Sequence, residues 1–234
     1  FSSSGSDLVF VIAGSRGNLI ESNTLSGAGA YGIRTTADSN VFKDNLIETC
    51  AQQGLMLSNA DSNVFRGNRI RSSINLANSV EIDGAGNTFF DNIVESATLH
   101  GFAVTGSSST NNLFDSNLVV GSDSCGFLVT LGPNTFSGNT VDTTRKHGFL
   151  IATGGCTVSG NRISNCWDAG NGIRIQGNDN RVSGNTVDSV AQDGIMLYNV
   201  NNCTVSANTV RRAQRGIEVS GANTCLVESN AVTG

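Results

Sequence analysis

The stretch that decides the fold reads NVFKDNLIETCAQQGLML, from Asn40 to Leu57. It holds an Asn, an apolar residue two places on (Phe42), and a second Asn three later (Asn45). Another apolar residue follows (Ile47), then a polar segment, and then Gly54 with Leu55 and Leu57 behind it. The same unit returns along the whole chain. Counterparts of Asn45 stand at Asn23, Asn68, Asn92, Asn117, Asn139, Asn161, Asn185, Asn208 and Asn230, at intervals of 22 to 25 residues. A period in this range marks a solenoid, in which one coil cannot bury its own apolar face and must stack on its neighbours.

Aligned on that Asn, the coils give columns. Three places before it come Ile20, then Phe42, Phe65, Phe89, Phe114 and Phe136, then Val158, Val182, Val205 and Val227. Two places after it the series is Leu or β-branched throughout, from Leu25 and Ile47 to Val187 and Val210. Behind the Gly, apolar residues recur in pairs two apart, such as Ile33 and Thr35, Phe102 and Val104, or Ile195 and Leu197. Alternation at period 2 in β-branched and aromatic residues is strand chemistry, and no run has a helical period. The spacing therefore predicts an all-β parallel β-helix of about ten coils, forming a single domain over residues 1–234. At a strand spacing of about 4.8 Å this is a rod of about 50 Å. The ladder Asn is expected to bond the next coil and to sit in the left-handed backbone region at each bend; the Gly before each paired-apolar strand is expected to use positive φ.

A leucine-rich repeat has a similar period and a similar F-x-x-N-x-I signature. Two features exclude it. The slot five before the ladder Asn holds Asn18, Asn40, Asn63, Asn87, Asn112, Asn134 and Asn180 where Leu would stand, and the return segment is too short and too rich in Gly and Ser for a helix. The pattern resembles the PbH1-type repeats of the right-handed pectate-lyase-like superfamily, which includes NosD-like proteins, carbohydrate epimerases and lyases, and phage tailspikes. That resemblance covers nearly all of the chain and implies a single-stranded, right-handed parallel β-helix. Its repeats specify a scaffold and not a reaction.

Charged residues make up 14% of the chain, the net charge is −5, and Lys43 and Lys146 are the two lysines. No basic stripe is present to neutralise phosphates, which excludes a nucleic-acid partner, and no apolar run reaches the length of a membrane span. Of six cysteines, Cys156, Cys203 and Cys225 occupy the slot that Asn40 occupies in its coil, Cys50 and Cys166 share another, and Cys125 stands alone. They read as buried reduced thiols acting as small hydrophobes, which points to assembly in a reducing compartment before an extracellular or virion-associated life. No zinc spacing occurs. The repeat already runs at Phe10 to Ile12 and still runs at the final residues, so the ends are expected to meet other domains or subunits. The sequon Asn202-Cys203-Thr204 is expected to be buried in a bend.

Chemistry-bearing residues gather in three successive coils. Asp123 lies on one, Arg145, Lys146 and His147 on the next, and Trp167 and Asp168 on a third whose loop is two residues longer. Lyases and epimerases acting on uronates require a cation to neutralise the carboxylate, a base for the C5 proton and an acid for the leaving oxygen. In that reading Lys146 or His147 is the base, Arg145 holds the carboxylate, Trp167 stacks on a sugar ring and His100 adds a substrate contact. Asp123 and Asp168 orient groups or hold a Ca²⁺, the one cofactor this reading admits. A hydrolase would instead use Asp123 and Asp168 as its carboxylate pair, about 10 Å apart over two coil steps. The chain departs from the family's enzymes in lacking a D-P-H-type motif, its one proline being Pro133, and in lacking clustered calcium-binding Asp residues.

The bland reading makes Arg145 part of a surface ion network, Trp167 a cover for the long loop, and both histidines solvated. A further column, Ala103, Leu128 and Leu150, is expected to form an outward apolar strip of the kind that side-by-side trimers bury. Two functions follow: a module that binds or processes an acidic polysaccharide, or a structural segment of a fibre, spike or surface protein.

Overall fold

The computed structural model describes residues 5–73 and 75–234. They form a parallel β-helix, with ten first strands in one sheet, and the second and third strands of the coils together in an 18-stranded sheet. The coil read first above shows the plan: Val41–Lys43, a bend, Leu46–Cys50, a second bend at Gly54, and Leu55–Leu57. In two late coils the second and third strands run on without a break, as Thr186–Tyr198 and Thr209–Ser220. Every strand pairing is parallel, and in register apart from an irregularity between Val190 and Asp193, so a column in the sequence becomes a row of touching side chains: Phe42 on Phe65, Phe65 on Phe89, Phe89 on Phe114, Phe114 on Phe136.

These five rings are fully buried and stack face to face at 4.7–4.9 Å. A second stack, Phe102, Phe127 and Phe149, comes from the third strands at 4.9 and 4.6 Å. Between the two stacks the rings meet edge to face at 5.5–5.9 Å, the arrangement the aromatic quadrupole favours. Aliphatic residues, mostly β-branched, continue both columns beyond the rings and fill the same slot between strands.

The Asn ladder is continuous. Asn117 Oδ1 accepts from the backbone N–H and the Nδ2 of Asn92, both at 3.0 Å, and Asn117 Nδ2 donates to Asn139 Oδ1 at 3.0 Å and to the Phe89 carbonyl at 2.9 Å. Both ends of each inner amide are thus saturated, which removes the desolvation cost of burying it. The left-handed backbone falls elsewhere than expected. It is the residue just before the ladder Asn that has φ near +55° to +65°, as at Asp44, Gly67, Ser116 and Gly138, while the Asn itself is extended and leads the next strand.

The glycines before the third strands also differ from expectation. Gly32, Gly54, Gly126 and Gly148 do not have positive φ; their need is space. A Cβ on Gly126 would lie 2.5 Å from Val141 Cγ1 and 2.8 Å from the Gly148 carbonyl of the next coil. A side chain here would push coils apart.

A second ladder runs through Asn18, Asn40, Asn63, Asn87, Asn112 and Asn134, each backbone N–H donating to the next Oδ1. Where cysteine enters this row it takes over both roles of the amide. Cys203 Sγ donates to the Gly177 carbonyl of the previous coil at 3.4 Å, and the Cys203 N–H donates to Cys225 Sγ at 3.4 Å. These thiols are hydrogen-bonding replacements for Asn, not merely small hydrophobes. All six cysteines are free, and burial pushes the thiols of Cys50, Cys156 and Cys166 up to about 11.

Two surface expectations change. Asn202 of the sequon is exposed, with φ of 57°. Ala103 is fully buried within the chain and Leu128 and Leu150 are half-buried, so the strip offers less apolar surface than strict alternation predicts. Among the described residues no helix is long and apolar enough to cross a membrane.

Candidate functional site

The cluster read from the sequence sits on the bends between second and third strands. Register carries it there: Ser122 pairs with Thr144 and Thr144 with Cys166, all three buried. The residues that follow them, Asp123, Arg145 and Trp167, therefore stand on successive coils, and all three are exposed. The third bend is longer because Asp168 and Ala169 take left-handed backbone at φ of 42° and 63°. That detour turns the chain back so that the Gly170 N–H donates to the Trp167 carbonyl at 2.7 Å. Gly170 is required there, since a Cβ would fall 1.9 Å from the Lys146 carbonyl.

The structure brings together Arg145 and Asp168, whose Nε and Oδ2 lie 2.7 Å apart across the coil step. The hydrogen bond to Asp168 holds the guanidinium above its ordinary pKa, Asp123 adding a weaker pull from the other side. Both partners are more than half exposed, so the pair contributes little to stability and is free to exchange partners. Trp167 keeps 55% of its surface in solvent. Indole that open is not covering the loop.

The two histidines are half-buried, not solvated. His147 Nδ1 accepts the Asn171 backbone N–H at 3.1 Å, and His100 Nδ1 accepts the Cys125 N–H at 3.2 Å. Burial pushes both imidazoles down to about 4, with Lys146 adding repulsion to each and Arg174 also to His147. With Nδ1 occupied as an acceptor, each neutral ring carries its proton on Nε2 and presents a donor. His100 and His147 lie two coils apart, with buried Cys125 between.

The column that holds His147 continues as a network whose linkage the sequence does not reveal. Asn171 Nδ2 donates to Asp193 Oδ2 at 3.0 Å, Arg215 forks onto the same carboxylate, and Arg215 also reaches Glu218 at 2.7 Å. Asp193 is fully buried and Asn171 Oδ1 is buried without a partner. His147, Asn171, Asp193 and Arg215 fill the slot just before the glycine on successive coils, so stacking sets each against the next. A calcium ion does not fit. It needs six or more oxygens, Arg145 engages Asp168, and among the described residues no group of three or more His, Cys, Asp or Glu side chains is placed to hold a metal.

A family model described as right handed beta helix region matches residues 1–141 and 124–234. The chain belongs to the right-handed β-helix family. Among solved structures this β-helix is similar to DFA-IIIase from Arthrobacter chlorophenolicus A6 without its lid, at 17% identity and a TM-score of 0.65, over 88% of this chain and 60% of that one. It is similar also to the periplasmic alginate epimerase AlgG, at 12% identity and a TM-score of 0.59 over 99% and 78%, and to PfbA, a surface adhesin of Streptococcus pneumoniae, at 9% and 0.58 over 90% and 70%. At such identities the likeness is one of fold. The chain spans 60% of the length of the DFA-IIIase. No curated protein matches the sequence significantly.

Proposed function

We propose that this β-helix is a carbohydrate-polymer module that binds an acidic polysaccharide along the bends carrying Asp123, Arg145, Lys146, Trp167 and Asp168. The observation that carries the reading is the exposed Trp167 in the long loop beside the Arg145–Asp168 pair. An open indole is the flat apolar surface on which the C–H face of a sugar packs, and a lightly held guanidinium is a carboxylate receptor at little cost. The alginate epimerase among its structural neighbours supports the reading by analogy of fold. In this reading His147 and His100 donate Nε2–H to sugar oxygens, and Lys146 is left as the base that would take the C5 proton if the bound polymer is cleaved or epimerised.

The test is titration of the chain with polygalacturonate and alginate oligomers. Trp167→Ala and Arg145→Ala are each expected to weaken binding about tenfold, roughly 1.4 kcal/mol. Unsaturated products absorbing in the ultraviolet, lost in Lys146→Ala, would add catalysis to binding. A chain that binds neither polymer refutes the proposal and leaves the second reading, a structural or adhesive segment, which the similarity to a surface adhesin supports.

A further inference from the structure

A groove of about 390 Å³ lies on the outward face of the second strands, and Trp167 is not among the residues that line it. It crosses successive coils from Leu118 and Val120, through Thr140, Asp142, Arg162 and Ser164, to Asp188 and Arg212. Register sets the floor as a straight row, Val120 beside Asp142, Asp142 beside Ser164, Ser164 beside Asp188. We infer that this groove is a second carbohydrate site, which holds a neutral glycan strand running parallel to the axis of the rod.

The floor is built and held in place. Asp142 Oδ1 accepts from Ser164 Oγ at 2.8 Å and Asn165 Nδ2 at 2.7 Å, which fixes the carboxylate. Its other oxygen, Oδ2, takes no donor from the described residues, so a fixed acceptor faces the groove. One coil on, Arg162 has no acidic partner among the described residues and offers a fork of donors. Asp188 is tied to Arg212 and to Ser189. A carboxylate acceptor and a guanidinium donor lining the same groove make the pairing that reads vicinal hydroxyls, each of which both donates and accepts.

Three further properties select the ligand. The four charges in the groove, Asp142 and Asp188 against Arg162 and Arg212, sum to zero, so neither a polyanion nor a polycation is attracted. Leu118 and Val120 at one end give the apolar surface that the C–H face of a sugar needs. The coils repeat at about 4.8 Å, close to the advance of one pyranose ring in an extended chain, so successive rings meet equivalent positions on successive coils. The inference does not rest on the acidic-polymer site, because probes of different charge separate the two.

The experiment is isothermal titration of the full chain with three neutral hexasaccharides, cellohexaose, mannohexaose and maltohexaose, run beside hexagalacturonate. At least one neutral hexasaccharide is expected to bind. Asp142→Ala and Arg162→Ala are each expected to weaken that binding at least about tenfold while the melting profile and the hexagalacturonate titration stay as in the parent. Should no neutral hexasaccharide bind, or should binding persist through both substitutions, the inference is overturned. Neutral binding that vanishes with Trp167→Ala yet survives Asp142→Ala overturns it equally, by placing the glycan on the bends. A fall in the melting temperature of either variant is answered by Asp142→Asn, which keeps the Oδ1 contacts and alters only the groove-facing atom; unchanged neutral binding in that variant also overturns the assignment.

Discussion

A single buried carboxamide shows how this fold is held. Asn117 makes four hydrogen bonds at 2.9–3.0 Å to three residues on two neighbouring coils. Asn117→Ala removes them all and takes the side-chain partners from the Asn92 N–H and the Phe89 carbonyl in the interior, while Asn139 Oδ1 keeps the residue 117 backbone N–H. The expected loss of stability is about 3 kcal/mol or more, as for buried polar groups left unpaired, and is read from chemical denaturation. Substitution in the cysteine-bearing row should be far milder. Cys156→Asn restores the amide that its neighbours Asn134 and Asn180 already carry, and is expected to change stability by less than about 1 kcal/mol in the same measurement. The sequence made the ladder legible because one residue type fills one slot. It hid the left-handed position, because Asp44, Gly67, Ser116 and Ala207 share that conformation without sharing a chemistry.

Among the elements, the bends decide more than the strands. Strands of three to five residues follow from the alternation of apolar side chains, and their register follows from stacking identical ones, so both could be read in advance. The glycine bends could be located but not explained. Positive φ was the natural expectation, and close approach of the next coil is the reason found. Gly126→Ala is accordingly expected to destabilise by about 2 kcal/mol, an overpacking cost, although its backbone conformation is one Ala readily adopts. A lowered melting temperature with an unchanged far-ultraviolet spectrum is the expected signature.

The same bends hold the pH response. His100 and His147 titrate at about 4 in the folded chain against 6.5 for an unperturbed imidazole, so between these values the unfolded chain binds protons that the folded chain refuses. Stability contributed by the neutral rings is complete above pH 6.5 and declines as the pH falls towards 4. Glu95, held down to about 2 by Arg69 and then Arg71, adds a second decline at lower pH, its contribution being present above 4.5 and lost as the pH falls through 2. Thermal melts from pH 7 to pH 4 test the first window. The decline there should flatten in a His100→Asn, His147→Asn variant, in which Asn Oδ1 replaces Nδ1 as acceptor. The positions of both histidines were legible in the sequence; their burial was not, because a residue next to a glycine bend reads as a loop residue until the adjoining coil is in place.

At the scale of the whole molecule, interior and exterior were legible to different degrees. Its interior was readable from end to end, since the five phenylalanines could share an environment only by stacking. Its exterior was readable in part. The Arg145–Asp168 pair was anticipated from position, whereas the groove floored by Asp142 and Ser164 was not, because an outward Asp or Ser on a strand carries no signal until the row beside it is known. The two faces differ in what they expose, an open indole beside the Arg145–Asp168 pair on the bends against a row of tied carboxylates and guanidinium groups along the strands. If the two proposed sites are separate, competition between the acidic and neutral probe classes should be absent.

The side-chain ladders also give the rod a direction. In the main row each Nδ2 from Asn23 to Asn208 donates to the Oδ1 of its C-terminal neighbour, so each Oδ1 from Asn45 to Asn230 faces the N-terminal one. The backbone bonds of a parallel sheet alternate in sense and largely cancel along the axis, but these carboxamide dipoles add, each of the order of a peptide unit's, about 3.5 D. The molecule should consequently align in an electric field, its C-terminal end carrying the positive pole, with a birefringence transient that shrinks when ladder asparagines are exchanged for cysteine.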